Sequence, residues 1–147
     1  MEEVIIKTGI EKMDIKEIHR FLTEESYWAK GISYELVNNS LQNSFCIGAF
    51  NSNKQIGFGR VITDYYTFGW YADFYVLPEF RGQGISKKML FHIAEQSWAK
   101  RLRRIMLNTS DAQELYRQFG FKDLTNPTYI LEVYRPNIHL QSENFNT

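Results

Sequence analysis

The stretch 74-FYVLPEFRGQGISKKML-90 begins in the alternating aromatic and β-branched pattern of a strand, breaks at Pro78, and resumes with helical spacing after Gly82 and Gly84. The first turn of any helix leaves backbone N–H groups without intrahelical acceptors, and the helix dipole adds partial positive charge at that end. Glycines at the entry remove the side chains that would hold an anion away from those donors, and Arg81 brings a fixed charge to the same place. The turn is therefore either a tight structural junction or a phosphate cradle. Two familiar phosphate motifs do not fit. A P-loop needs Gly-x-x-x-x-Gly-Lys followed by Ser or Thr, and a dinucleotide fingerprint needs a third glycine where GQGISK places Lys87.

Working outward, the turn sits inside a chain of 147 residues, the size of one domain, and 1–147 reads as a single unit with no repeat, linker or low-complexity tract. Seventeen basic and seventeen acidic side chains cancel, so no net field recruits nucleic acid or an anionic membrane. The N-terminal apolar run is too short for a leader or a span, and the lone Cys46, set in the apolar SFCIGAF, reads as a buried thiol; a reducing cytoplasm is the expected compartment. His19, His92 and His139 are scattered without ligand spacing, so no metal is expected.

EVIIKTG reads as a first strand, and Ile15, Ile18 and Leu22 share a helical face behind Asp14 as N-cap. A second helix carries Ile32, Leu36, Val37 and Leu41. SFCIGAF and KQIGFGRVITDYY form a hairpin through NSN, WYADFYVL is the next strand, and Ile85 to about Ala99 is a helix. RIMLNT is a short strand, DAQELYRQFG a helix with a capping box at Asp111 and Glu114, and TYILEVYRP a last strand. The order β-α-α-β-β-β-α-β-α-β predicts a mixed α+β fold of the α/β type, with six to seven mostly antiparallel strands and about four flanking helices.

At these residues the chain resembles the GCN5-related N-acetyltransferase superfamily. The family's motif Gln/Arg-x-x-Gly-x-Gly/Ala is matched by Arg81, Gly84 and, with a small departure, Ser86; a second motif, Ala-x-x-Leu/Ile-Tyr-x-x-x-Gly-Phe, is matched by Ala112, Tyr116, Gly120 and Phe121. Their order and the predicted topology agree, so the resemblance spans nearly the whole chain. It implies direct transfer of an acetyl group from acetyl-CoA to a primary amine, with no metal. Such transfer requires deprotonating an ammonium, polarising a carbonyl oxygen and protonating a departing thiolate. By the same resemblance the main chain of Arg81, Gly82, Gln83, Gly84, Ile85 and Ser86 holds the pyrophosphate, and the backbone of Tyr75, Val76 and Leu77 pairs with the pantetheine arm. Val76 N–H is placed to polarise the carbonyl. Thr109 stands where the family often has asparagine, with Asn108 beside it, and both are candidates for contact with that arm. Tyr116 matches the family's general acid. Asp73, a carboxylate in an apolar strand, is expected to face the same side as Tyr71 and Tyr75, as base, substrate ligand or structural group.

The implied acceptor wall comprises EESYWAKGISYE and DYYTFGWY, whose aromatics and acids, Glu24, Glu25, Glu35 and Asp64, suit a small cationic amine or are plain core and surface. The alternatives are acetylation of a protein N-terminus or lysine, or a non-catalytic acyl-CoA-binding module. Either a monomer or a homodimer is compatible with the sequence, with TYILEVYRP and the polar tail from 137 to 147 as candidate interface elements.

Overall fold

The computed structural model describes residues 3–140; Met1, Glu2 and residues 141–147 of the polar tail lie outside the described residues. One mixed sheet in the order β1-β2-β3-β4-β5 is built from Val4–Thr8 (β1), Phe45–Asn51 (β2), Lys54–Thr63 (β3), Phe68–Val76 (β4) and Arg104–Leu107 (β5). The first four are antiparallel neighbours and β5 joins β4 in parallel. The parallel step requires a crossover, supplied by the helices Ile85–Ala94 (α3) and Ser97–Arg101 (α4). Helices Ile15–Glu24 (α1) and Tyr34–Gln42 (α2) lie between β1 and β2, and Gln113–Arg117 (α5) follows β5. No helix among the described residues is long and apolar enough to cross a membrane.

The predicted N-cap holds: Asp14 accepts from Glu17 N–H at 3.2 Å. The same residue's N–H donates at 2.7 Å to Gln55 Oε1, and Gln55 Nε2 donates at 3.1 Å to Gly57 O, so one buried amide ties the start of α1 to β3. Ile18 and Leu22 are fully buried, as are Val37 and Leu41 of α2 and Ile85, Met89 and Ile93 of α3. Cys46 is buried, and burial raises its thiol to about 11.

Four expectations are corrected. The second helix begins at Tyr34, after Ile32, and Leu36 is exposed, so its buried face is Val37 and Leu41 alone. The long third helix divides at Glu95–Gln96 into α3 and α4. The capping box at Asp111 and Glu114 does not form; Ala112 is the N-cap of α5, and its N–H is taken at 3.1 Å by Thr109 Oγ1. TYILEVYRP is not a strand: a single helical turn covers Pro127–Tyr129, and the chain beyond it pairs with nothing in the sheet. The sheet therefore has five strands among the described residues, not six or seven. Extended propensity alone does not make a strand where no hydrogen-bonding edge is offered within the chain.

Candidate active site

The site is made by a parting of strands. β4 and β5 pair from Phe68 with Arg104 to Tyr71 with Leu107, and there the pairing ends, while β4 continues to Val76 against β3 alone. The β5-facing edge of β4 from Ala72 onward is thus left without a strand partner, and backbone donors and acceptors on such an edge seek another extended group.

A bulge sits at the point of parting. Phe58 pairs with Tyr75 and Arg60 with Ala72, so Asp73 and Phe74 together oppose Gly59. Asp73 adopts φ 60, a left-handed conformation rare for residues with a Cβ. The bulge overturns the expected alternation: Tyr71 stacks on Phe74 at 5.4 Å, whereas Tyr75 lies on the other face, stacked on Phe21 of α1 at 3.7 Å. Gly59 is what admits the bulge, because a Cβ there would lie 2.3 Å from the Phe74 ring.

Beyond β4, the Arg81 turn has the predicted form. Gly82 and Gly84 have φ 79 and 76, and a Cβ added to either meets nothing within 4 Å. Ile85 and Ser86, the first residues of α3, follow directly, and their N–H groups belong to the first helical turn, which has no intrahelical acceptors. Arg81 Nε donates to Val76 O at 2.9 Å, so the guanidinium straps the turn to the end of β4. Val76, Phe80, Gly84, Ser86 and Lys87 on one side and Leu115 of α5 on the other line a cleft of about 230 Å³. Lys88 points away, into a groove between α3 and β1.

Tyr116, next to Leu115, is 8% exposed and edge-on to Phe74 at 6.4 Å and Phe121 at 5.8 Å. Burial, reinforced by Asp111 and Tyr27, raises its phenol to about 12, so it stays protonated at neutral pH. Asp73 is held by Arg60 Nε at 2.6 Å on one oxygen and by Trp28 Nε1 at 2.8 Å on the other. Arg60 also donates to Ser44 Oγ at 2.9 Å. Tyr27 accepts from Ser110 Oγ at 2.9 Å, which joins the loop between α1 and α2 to the start of α5.

The predicted residues therefore separate. Tyr75, Val76, Leu77, Arg81, Gly82, Gln83, Gly84, Ile85 and Ser86 follow one another along the end of β4 and the turn into α3, and Leu115 of α5 lines the cleft with them, while the adjoining Tyr116 is buried against Phe74 of β4. Asn108 is exposed and Thr109 Oγ1 accepts from Ala112 N–H before α5; β5 ends at Leu107, so strand alternation does not reach either. Of the expected acceptor segments, EESYWAKGISYE brings Tyr27 and Trp28 to the site, but the DYYTFGWY tip packs elsewhere. Tyr65 lies edge-on to Trp98 and Arg101 stacks over Tyr66, both on α4. Asp64 accepts from Tyr66 N–H, Thr67 N–H and Thr67 Oγ1 within its own turn, which holds its carboxyl below the usual range, and Glu25 pairs with Arg20. Sequence reading missed Arg60 and Gly59. A lone arginine in the apolar GFGRVIT was the available signal for the first.

Comparison with known proteins agrees with this geometry. The Acetyltransferase (GNAT) domain family matches residues 42–123. A solved structure from Xanthomonas campestris pv. campestris, assigned to the same family, superposes with a TM-score of 0.91 at 39% identity, covering 95% of this chain and 98% of that one. A Gibberella zeae protein with a provisional acetyltransferase name is 29% identical over 82% of this chain and 80% of its own. Thialysine N-epsilon-acetyltransferase of Bos taurus is 35% identical over 48% of this chain and 46% of its own length. With a parted β4–β5 pair, a glycine turn at α3 and a tyrosine on α5, the chain belongs to the GNAT acetyltransferase family.

Proposed function

We propose that this protein transfers an acetyl group directly from acetyl-CoA to the primary amine of a small molecule. The observation that carries the reading is the open, side-chain-free space at Gly82 and Gly84, where α3 begins, lining a cleft with Val76 and Leu115. That space fits a pyrophosphate, since helix N-terminal donors and glycine turns bind phosphate by geometry and dipole together. When bound, acetyl-CoA supplies an acetyl group activated as a thioester.

The chain's own residues divide the remaining work. Main-chain N–H groups from Gly82 to Ser86 hold the phosphates, and the strand-free edge of β4 orients an extended arm towards Tyr116. The Tyr116 hydroxyl keeps its proton at neutral pH and is the general acid for a leaving sulfur. Asp73, with one oxygen on Arg60 and the other on Trp28, is a positioning residue that fixes the Trp28 indole against the β4 bulge, not a free base. Tyr27 and Trp28 form an aromatic wall suited to a cationic amine; the thialysine-directed relative, an enzyme named for a side-chain amine, supports an acceptor of that class.

The test is thiol release from acetyl-CoA across polyamines, lysine analogues, aromatic amines, aminoglycosides and short peptides, with wild type and Tyr116→Phe in parallel. Turnover on one small amine class, cut by the substitution, supports the reading. Turnover confined to peptides moves the acceptor to a protein terminus or lysine. Saturable acetyl-CoA binding with no turnover on any amine identifies a binding module instead, and failure of acetyl-CoA to raise the melting temperature defeats the proposal outright.

A further inference from the structure

A groove of about 540 Å³ lies between β1 and α3, apart from the cleft except at Lys87, which borders both. One wall is the outer edge of β1, which no strand covers among the described residues. Sheets ordinarily blunt such an edge with a bulge, a proline or an outward charge. β1 has none of these. Val4–Thr8 pairs residue for residue with β2, and Lys7, the one charged side chain in the strand, turns back over the Phe50 ring of β2 at 4.7 Å. Ile5, within the strand, is 53% exposed. The other wall is a stripe of α3. Lys88, Phe91 and His92 are all exposed and stand at the i, i+3 and i+4 spacing that shares one helix face. Phe91, an apolar ring, is 57% exposed there. A bare strand edge beside a helix that offers an apolar ring and positive charge is the arrangement into which extended peptides add as an extra strand.

We propose that this groove binds an extended acidic segment of another protein, which adds to the sheet as a strand along β1 with its carboxylates towards α3. Main-chain hydrogen bonds to the β1 edge hold the segment, and its alternate side chains set carboxylates against Lys87, Lys88 and His92. The charge of the wall selects the occupant. Glu3 is the single acid among the lining residues, so an acidic strand is matched and a basic one repelled. A second copy of this chain is the poorer fit, because edge-to-edge pairing about a two-fold axis brings the two basic walls together. This surface does not depend on the acetyl-transfer reading.

The experiment titrates the full chain into a fluorescently labelled Glu-Val-Glu-Val-Glu-Val peptide, about 20 Å long when extended and so able to cover β1, and reads anisotropy, with hydrogen exchange on the same complex. A Lys-Val-Lys-Val-Lys-Val peptide is the charge control. Two further acidic peptides carry N-methyl groups on alternate amides, one for each set, and keep every charge while losing strand donors. The acidic peptide is expected to bind at least 10-fold more tightly than the basic one, and Lys88→Glu with His92→Glu, both at exposed positions, to weaken it about 10-fold. One N-methylated peptide is expected to lose about 10-fold, and the amides of Val4–Thr8 to exchange about 10-fold more slowly in the complex. Absence of binding by the acidic peptide, or equal binding of the two charge types, overturns the proposal. Full affinity in both N-methylated peptides overturns it by showing adherence to the lysines without strand addition. Slow exchange of β1 in a doubled mass before any peptide is added also overturns it, by making a second copy the occupant.

Discussion

Tyr116 and Asp73 are both acids in apolar surroundings, and their partners give them different work. No side chain among the described residues hydrogen-bonds the Tyr116 hydroxyl, whose burial keeps the proton on; Asp73 has both oxygens engaged. Tyr116→Phe is therefore expected to lower kcat by roughly 10²–10⁴-fold, the usual worth of a positioned general acid. Acetyl-CoA affinity, read by titration, is expected to stay within about two-fold because the cradle is untouched. Asp73→Ala leaves Arg60 without its carboxylate where the pair's side chains are only 15% and 11% exposed. The expected cost is about 2–3 kcal/mol in urea unfolding, somewhat below that of breaking a fully buried pair. It is also expected to raise KM for the amine more than it lowers kcat, through loss of the Trp28 contact; an unchanged KM would count against the positioning role.

At the scale of elements, the site depends on a strand that bulges and a helix that starts bare. Gly59→Ala would drive a Cβ into the Phe74 ring, and with Phe74 packed on both Tyr71 and Tyr116 the displacement spreads into the cleft. A loss of about 1–3 kcal/mol, the range for overpacked cores, is expected, together with reduced turnover. Gly84→Val asks a β-branched residue to adopt φ 76 and fills the open space before α3. Acetyl-CoA affinity by calorimetry is expected to fall at least 10-fold, on the order of 1.4 kcal/mol; retained affinity would show that the phosphates bind elsewhere.

Across the whole molecule, burial sets the response to alkali. The Cys46 thiol is raised from 9.0 to about 11, and the Tyr71 and Tyr116 phenols from 10.0 to about 12; Tyr75, buried against Phe21, is raised as well. Each group holds its proton longer folded than unfolded, so the stabilisation is complete below pH 9 and is lost as pH rises towards 12. The melting temperature is expected to be flat from pH 7 to 9 as far as these groups decide it, and then to fall steeply between pH 10 and 12. Replacing Tyr71 with Phe is expected to make that fall shallower.

What the sequence by itself determined were the features written in local chemistry. Asp14 as a cap, the buried faces of α1 and α3, the strand-turn-helix at Arg81 and the spacing from Ala112 to Tyr116 need only near neighbours, and so the order of elements as far as α5 and the glycine turn were legible. The tertiary structure decided whatever required a partner distant in the chain. The bulge at Asp73 exists because Gly59 opposite it admits Phe74, and it reverses which side chains share a face. Asp73 is satisfied by Arg60 and by Trp28, 45 residues away, so its role is a property of the fold and not of the strand that carries it. The segment after Tyr129 has every local mark of a strand and still makes none within the chain, because a strand is defined by the edge it meets.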